Sequence, residues 1–216
     1  MLYGALNTSV LERIPKTAGR ILDFGCGTGM LGAALKDQMA CEIVGVTFSE
    51  AEAAEAQRRI DRVLVDNLDT FTAPPDFGSF DVVICSHILE HLREPQRLLR
   101  IARSLMNPGG VLIVALPNVL HWRQRLLLVR GHFKYTEGGI MDSTHVRFYD
   151  WDTARALVSD SGFELLDAIS EGNLPLPLVR RVIPQKIASS LDRMFTRAFP
   201  GLFGAQFVIL AKPKDA

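Results

Sequence analysis

The sequence predicts a single α/β domain in which helices cover both faces of a parallel sheet. From residue 20 to residue 116, apolar strand-like runs alternate with helix-like segments. The runs are continuously apolar, which is typical of parallel strands buried on both faces. The first run, residues 21–24, leads directly into a glycine turn at 25–29, and a helix is predicted from Met30. A chain of 216 residues is long enough to form one such domain with a substantial core.

The other elements follow in order along the chain. A short helix over 5–13 is expected outside the sheet. A helix over 49–59 is predicted to begin with a capping box formed by Ser49 and Glu52. Further helices are expected over 95–106 and from about 151 to 161, with Pro95 in a first turn. Later strands are predicted at 42–46, 62–65, 80–85, 111–116, 163–166 and 206–211. Two insertions interrupt this alternation, a first cap insertion (118–150) and a second cap insertion (172–204).

Composition and charge exclude several classes of function. The 24 basic and 24 acidic residues give a net charge of zero, which argues against a general nucleic-acid partner. The three cysteines, Cys26, Cys41 and Cys85, fit neither a zinc site nor a disulfide framework, so reduced thiols are expected. We find no signal-peptide pattern and no apolar run of about 18 residues. A cytoplasmic protein is therefore expected, and peripheral contact with a membrane stays open.

The glycine spacing distinguishes between two kinds of ligand. A dinucleotide fingerprint, G-x-G-x-x-G, counted from Gly25 would place its third glycine at position 30, whereas the chain has it at Gly29. Asp23 also precedes the loop. A carboxylate there disfavours a pyrophosphate and favours a ligand that carries an amine and a sulfonium. The alternative is a tight turn between strand and helix that holds no ligand.

The run D-x-G-x-G-x-G, from Asp23 to Gly29, resembles motif I of the class I S-adenosylmethionine (SAM) methyltransferases. The resemblance implies a Rossmann-like sheet of seven mostly parallel strands, with the last strand antiparallel. It also implies SAM as cofactor and S-adenosylhomocysteine (SAH) as product. The cofactor contacts expected from it are Asp23, Gly25, Cys26, Gly27, Gly29, Thr47, Phe48, Glu52, Asp66, Asn67 and Ser86.

The family's usual ribose-binding acid after the second strand is replaced by Thr47. The surrounding run, Gly-Val-Thr-Phe-Ser, is similar to the loop of the cyclopropane-fatty-acid-synthase branch, where Thr and a downstream Gln serve. Glu52 stands at the matching downstream position, so Glu52 or Glu50 is expected to reach the ribose hydroxyls. The alternative is that both are exposed acids favoured by the helix dipole. Asp66 matches the family's adenine contact, with a turn or cap role as its alternative.

The run Ser-His-Ile-Leu-Glu-His-Leu after the fourth strand resembles the motif of small-molecule methyltransferases at this place. His87 and His91 are four residues apart and would share one face of a helix. Glu90 is wrongly placed for the metal motif H-E-x-x-H, so no metal site is predicted. A structural, hydrogen-bonded role is expected for His91.

Segments 116–123, 131–135 and 142–149 resemble methyltransferases of the MetW type and relatives found with surface-polysaccharide genes. Together with the core, this resemblance covers residues 20–167. It implies SAM-dependent methylation of a small-molecule or glycan-type acceptor, with oxygen expected as the methylated atom. Two alternatives stay open: a non-catalytic, SAM-binding regulatory protein of the MetW type, and a lipid methyltransferase associated with a membrane.

A hydroxyl acceptor benefits from a general base. The candidates are His145, His121 and Tyr149, with Tyr135 weaker. His145 and Arg147 alternate, so on an extended segment they would face one side. We expect His145 to be the base or acceptor-orienting group, and Arg147 to clamp an anionic group of the acceptor. The alternative is that these two residues and Asp142 only fasten the cap to the sheet.

Two segments are basic and partly apolar. Residues 118–134 contain no acid, and their apolar run 126–129 is expected to form one stripe if it is helical. Such segments can lie on a membrane or cover an anionic substrate, and the alternative is that they pack on their own domain. The basic residues are Arg123, Arg125, Arg130 and Lys134 in the first segment, and Arg180, Arg181, Lys186, Arg193 and Arg197 in the second, 178–199.

Overall fold

A computed structural model describes residues 6–174 and 184–214, and at its centre lies a seven-stranded sheet of order β3-β2-β1-β4-β5-β7-β6. Strands β1 to β5 are mutually parallel, whereas β7 runs antiparallel to both β5 and β6. The predicted sheet is therefore confirmed, including its antiparallel last strand. The strands are β1 (Arg20–Phe24), β2 (Glu42–Thr47), β3 (Arg62–Val65), β4 (Phe80–Ser86), β5 (Met106–Pro117), β6 (Phe163–Gly172) and β7 (Gly204–Pro213).

Helices cover both faces of the sheet. Successive residues of a strand point to opposite faces, so Leu22 and Phe24 of β1 lie in one core cluster and Ile21 lies in the other. A 3₁₀ helix, Leu89–His91, follows β4. The α-helices are α1 (Thr8–Leu11), α2 (Met30–Lys36), α3 (Glu50–Ala56), α4 (Pro95–Ser104), α5 (Trp122–Val129), α6 (Trp151–Asp160), α7 (Gln185–Ala198) and α8 (Pro200–Phe203).

Several element boundaries differ from the expected ones. Strand β5 begins five residues earlier than predicted, because Met106 already pairs with Phe80 before an irregularity in the ladder. Helix α1 is shorter than predicted, and Asn7 caps its first turn by accepting a hydrogen bond from the Val10 N–H. Ser49 caps α3 as expected, and its side chain accepts from the Glu52 N–H.

The two basic segments have different surroundings. In α5 no residue is buried, and Leu126, Leu127, Leu128 and Val129 are all exposed. The expected single apolar stripe is wrong, because four consecutive residues point around a helix rather than along one face. Helix α7 instead packs on its own domain: Ala188 is buried and the Ser170 hydroxyl donates to the Thr196 carbonyl.

Arg180 and Arg181 of the second basic segment lie outside the described residues. Of the helices that lie within 6–174 and 184–214, none combines the length and the apolar character needed to cross a membrane.

Candidate cofactor and acceptor site

The glycine loop after β1 requires residues without side chains. Gly25, Gly27 and Gly29 all have φ in the left-handed region, at 80°, 53° and 76°. A Cβ atom on Gly25 would lie 2.9 Å from Ile88 Cγ1, and one on Gly29 would lie 3.1 Å from the Ala56 Cα. The loop therefore presents bare backbone at the carboxyl end of β1.

Cys26, predicted as a cofactor contact, turns its side chain into the core. A Cβ atom on Gly45 would lie 2.6 Å from Cys26 Sγ, so the thiol occupies the space that this glycine leaves on β2. Burial raises the pKa of the Cys26 thiol, and it stays protonated. The N–H groups of Gly25 and Cys26 both donate to the Val46 carbonyl, at 2.8 and 3.1 Å. Cys26 can thus reach a ligand through its backbone only.

Asp23 is a buried carboxyl at the end of β1, with 4% of its surface exposed. Burial raises its pKa to about 7, and no charge or hydrogen bond contributes to that shift. A buried carboxylate is stabilised by a neighbouring cation. The carboxyl therefore fits the amino group of a ligand such as SAM.

Thr47 and Glu52 form a buried pair at the end of β2. The Thr47 hydroxyl donates to Glu52 Oε2 at 2.8 Å, and the two residues are 3% and 8% exposed. Glu50 is exposed, so of the two acids only Glu52 turns inward, and the alternative that both are exposed is wrong. The Asp66 N–H donates to the Thr47 carbonyl at 2.9 Å, which fixes the start of the loop after β3 beside this pair.

The remaining cofactor candidates lie along the same edge. Phe48 is 76% exposed, so its ring is available to a ligand that covers the edge. Asn67 Oδ1 accepts from the Asp69 N–H at 3.0 Å, and Asn67 therefore stabilises a turn. Ser86 ends β4, and its hydroxyl accepts from Asn7 Nδ2 at 3.4 Å. The residues predicted to hold the cofactor thus lie at the carboxyl ends of β1 to β4, where open α/β sheets bind ligands.

His87 connects β4 to a polar network that sequence reasoning missed. Its φ is 52°, and it is the one residue other than glycine, among those that the structure describes, with a positive φ. Its ring contacts Glu90 Oε1 at 3.3 Å and Gln206 Oε1 at 2.8 Å. Desolvation opposes the charged imidazole, but the hydrogen bond to Glu90, the charge of Glu90 and the hydrogen bond to Gln206 together outweigh it, so the pKa of His87 is raised. Gln206 also bonds Asn7 and Glu171, at 3.0 and 2.9 Å.

Glu90 is the most buried charged side chain of this region, with 1% exposed. Its Oε1 faces His87 at 3.3 Å and His145 Nε2 at 4.0 Å, while its Oε2 has no hydrogen-bond partner. Its main-chain carbonyl accepts from the N–H groups of Val146 and Arg147, both at 3.0 Å. The backbone of Glu90 therefore fastens the first cap insertion, and its carboxylate lies beside His87 and His145.

His145 lies against Glu90 and His91. The rings of the two histidines are 4.8 Å apart, edge to face. His145 Nδ1 lies 3.2 Å from the Ile140 carbonyl, and His91 Nδ1 lies 3.0 Å from the Thr144 hydroxyl. Burial lowers the pKa of His145, so its ring is neutral at pH 7. A hydrogen-bonded role for His91 is thus as expected.

The other predicted catalytic residues do not meet His145 on one face. Arg147 is exposed, and its guanidinium donates to the Arg93 carbonyl at 2.5 and 3.0 Å. The different surroundings of His145 and Arg147 arise because the segment turns at His145, whose N–H donates to the Asp142 carbonyl. Arg147 thus fastens the cap, as the alternative for this residue predicts.

His121 and Tyr149 are buried, and each has a polar atom without a partner, His121 Nε2 and the Tyr149 hydroxyl. Burial lowers the pKa of His121 to about 4 and raises that of Tyr149 to about 12. At pH 7 the histidine is neutral and the phenol is protonated, so they can offer one acceptor and one donor.

The fold and the site can now be compared with known proteins. Residues 4–168 match the family model described as "Methyltransferase domain". A protein of Mycobacterium tuberculosis named "Probable S-adenosylmethionine-dependent methyltransferase" is 28% identical over 86% of this chain and 62% of its own length. A ubiquinone biosynthesis O-methyltransferase of Xanthomonas campestris is 32% identical over 50% of this chain and 47% of its own length. The chain thus spans about half to three fifths of the length of these curated relatives.

Solved structures have the same fold. A SAM-dependent methyltransferase from Mesorhizobium loti matches 98% of this chain and 99% of its own, with a TM-score of 0.64 and 21% identity. Magnesium protoporphyrin IX methyltransferase from Synechocystis, solved with bound SAH, matches 96% of this chain and 81% of its own, with a TM-score of 0.62 and 17% identity. With the family model covering most of the chain, the protein belongs to the class I SAM-dependent methyltransferase family.

Proposed function

We propose that this chain transfers a methyl group from SAM to an oxygen of a small-molecule or glycan-type acceptor. The observation that carries the proposal is the isolated buried carboxyl of Asp23 beside a loop of bare backbone. A buried carboxyl next to a glycine loop suits a cationic, nucleotide-like ligand better than a pyrophosphate. The family match and the name of the Mycobacterium relative support the same activity.

Different residues of the chain would bind different parts of the cofactor. Asp23 would pair with the amino group of the methionine part, and the backbone of the loop from Gly25 to Gly29 would lie against it. The Thr47–Glu52 pair would accept from the ribose hydroxyls, and Phe48 would cover the adenine. When bound, SAM supplies a methyl group on a sulfonium sulfur, which the acceptor displaces with release of SAH. The protein's main task is then to align the acceptor and exclude water.

The acceptor would lie between the 3₁₀ helix and the first cap insertion. This space adjoins the loop, because Ile88 packs against Gly25. Three buried polar atoms of this part of the chain lack hydrogen-bond partners among the described residues: Glu90 Oε2, His121 Nε2 and the Tyr149 hydroxyl. In this arrangement His145 orients the acceptor's hydroxyl group. The relatives named as ubiquinone biosynthesis O-methyltransferases, which match half of the chain, support oxygen as the methylated atom.

Contact with an anionic membrane surface is a second proposal, and it rests on α5. The helix exposes four consecutive apolar residues, and Val129 is 86% exposed. The adjoining basic residues, Arg130 and Lys134, are exposed as well. Apolar side chains flanked by cations bind lipid surfaces, because the apolar groups are buried among the lipids and the cations attract anionic headgroups. An acceptor attached to a lipid would then reach the site from the membrane.

Calorimetric titration with SAM and SAH tests the cofactor part, with Glu52→Ala and its exposed neighbour Glu50→Ala as a matched pair. We expect Glu52→Ala to weaken SAM binding by about 10-fold or more, the size of a lost hydrogen bond to a charged group, and Glu50→Ala to leave it unchanged. A wild-type protein that binds neither compound would overturn the proposal. SAH release in the presence of hydroxylated acceptors, with His145→Gln compared at equal SAM occupancy, tests the chemistry.

A further inference from the structure

Three side chains that could hold a metal ion converge beneath the first cap insertion. One ring nitrogen each of His91 and His145 and one carboxylate oxygen of Glu90 lie within 4.8 Å of one another. Glu90 and His145 are buried, and His91 is partly exposed. We propose that these residues bind one divalent transition-metal ion, such as Zn²⁺, and that this ion holds the acceptor's oxygen. The second part rests on the proposed function, and the first part does not.

A hydrogen bond at Nδ1 orients the ring of each histidine. The Thr144 hydroxyl has one proton, which it donates to Asp142 Oδ1 at 2.6 Å. Thr144 must therefore accept from His91 Nδ1–H, at 3.0 Å. His145 Nδ1–H likewise donates to the Ile140 carbonyl. In both rings Nδ1 has a fixed oxygen partner, and this is the pattern that orients metal-binding histidines.

The carboxylate supplies the third ligand and a reason for a cation. His87 already contacts Oε1 of Glu90, while Oε2 is buried without a partner. His145 Nε2 and Glu90 Oε1 face each other at 4.0 Å, both as hydrogen-bond acceptors. A buried carboxylate oxygen left unpaired costs free energy, and two facing acceptors repel each other. A cation between Oε1 and Nε2 removes this repulsion, and a cation bound by both carboxylate oxygens would also pair Oε2.

A purely structural role explains the cluster less well. The cap is already fastened here by main-chain bonds, since the N–H groups of Val146 and Arg147 donate to the Glu90 carbonyl. Those bonds do not need a carboxylate or an imidazole. Hydrophobic side chains at Glu90 and His145 would pack the same space without burying an unpaired oxygen.

Two imidazoles and one carboxylate form a set that Zn²⁺ binds in catalytic sites, with the fourth position open. Zinc bonds of about 2.1 Å in a tetrahedron place the ligand atoms about 3.4 Å apart. The present 4.0 Å between Glu90 Oε1 and His145 Nε2 is therefore close to the required spacing. An acceptor hydroxyl in the open position would have a lower pKa, and its proton would pass to water. The methyl acceptor would then need no separate base.

Binding of Co²⁺ and Zn²⁺ to the full, tag-free chain after treatment with chelator tests the site. We expect one equivalent, seen by calorimetry for Zn²⁺ and by visible ligand-field absorption for Co²⁺. His91→Ala and His145→Ala should each weaken binding at least 10-fold. His132→Ala, an exposed histidine of the same cap insertion, is the matched control and should bind as the wild type does.

Glu90→Gln keeps the shape of the side chain and removes its charge. A loss of zinc binding in this variant would therefore not be explained by a failure to fold. The variant should abolish the rise in melting temperature that Zn²⁺ gives the wild type. The site is overturned if 100-fold excess Zn²⁺ does not bind, or if His91→Ala and His132→Ala bind it equally.

Two further measurements separate the site from the proposed function. If SAM does not bind but Zn²⁺ does, the proposed function fails and the site stands. If Zn²⁺ binds but the chelated protein methylates its acceptor at the full rate, the ion's role toward the acceptor is overturned and His145 acts on the hydroxyl directly.

Discussion

The cofactor side and the acceptor side of the site are assembled from the chain in different ways. On the cofactor side, each part follows its own strand within a few residues, as Asp23 and the glycines follow β1 and Thr47 and Glu52 follow β2. On the acceptor side, residues 7, 87, 90, 145 and 206 come together from both ends of the chain. The first side is local and can be recognised in the sequence, whereas the second depends on the completed fold.

The two sides also differ in charge. Among the described residues no group favours the ionised form of Asp23, and burial raises its pKa to about 7. Glu90 is also buried, but it contacts His87 and lies near His145. The buried carboxyl of Asp23 would be stabilised in its ionised form by a cation of the ligand, whereas the carboxyl of Glu90 already has histidines beside it. Substitutions on one side should therefore leave the other side intact.

The largest effect is expected from Gly27→Arg on the cofactor side. Gly27 has φ of 53°, and a long side chain at this position would occupy the space over the loop. SAM binding should weaken at least 100-fold in calorimetry. Gly109→Arg is the control, because Gly109 also has a positive φ, of 79°, but a Cβ there meets nothing within 4 Å, at the opposite end of β5. Equal affinity in both variants would contradict the assigned loop.

Asp23→Asn should weaken SAM binding about 10- to 100-fold, since it removes the partner of the ligand's ammonium. The same variant should be more stable than the wild type without ligand at pH 8, by roughly 1 to 3 kcal/mol in chemical denaturation.

The pH dependence follows from the raised pKa of Asp23. Below pH 4 the carboxyl is protonated in both states. As the pH rises toward 7 the unfolded chain releases its proton first, so the wild type loses stability that Asp23→Asn keeps. SAM affinity should rise over the same interval, because the ammonium binds the ionised form. A SAM affinity that is flat from pH 5 to pH 8 would show that Asp23 does not pair with the ligand.

His87→Asn affects the acceptor side. Asn tolerates the left-handed conformation that His87 adopts, so the backbone should be retained. The contacts to Glu90 and Gln206 would be lost, and we expect turnover to fall about 10-fold while the dissociation constant of SAM changes less than 2-fold. Parallel losses in turnover and SAM affinity would mean that the two sides are not separable.

The smallest effect on the site itself is expected from substitutions next to α5. The double substitution Arg130→Glu and Lys134→Glu should weaken sedimentation with anionic liposomes about 5-fold or more for each residue, and leave SAM binding unchanged. Binding of the wild type should fall with salt. Glu137, an exposed acid of the same insertion, offers the control Glu137→Gln, which should bind as well as the wild type. The proposal is contradicted if the wild-type protein does not sediment with anionic liposomes at low salt.

Sequence alone predicted the parallel strands and their alternation with helices along the chain, because these depend on local patterns, and the family resemblance predicted the antiparallel last strand. The cofactor edge stays a prediction. The apolar runs of β1 to β5 and the glycine loop are each formed by a few residues that are adjacent in the sequence. The sequence also led to His145 as a site residue, through the resemblance of the segment around it.

The contacts of the acceptor side could not be predicted in the same way. The bond between His87 and Gln206 joins residues 119 positions apart, and no motif marks Gln206. Glu90 was discounted as a metal ligand because it does not fit H-E-x-x-H, a spacing for continuous helices. Here the segment is one turn of 3₁₀ helix, and the third residue of the cluster comes from the cap. The course of the cap decides which side chains meet, and that course depends on tertiary contacts.

The bonds that Val146 and Arg147 make to the Glu90 carbonyl have a consequence for how such proteins diversify. Main-chain hydrogen bonds do not depend on the identity of the side chains that they join, proline excepted. The insertion can therefore change its side chains while these two bonds to the 3₁₀ helix are kept. If the insertion contacts the acceptor as proposed, substrate preference can change without loss of this attachment, and a cap transplanted from a relative should dock on the same carbonyl oxygen.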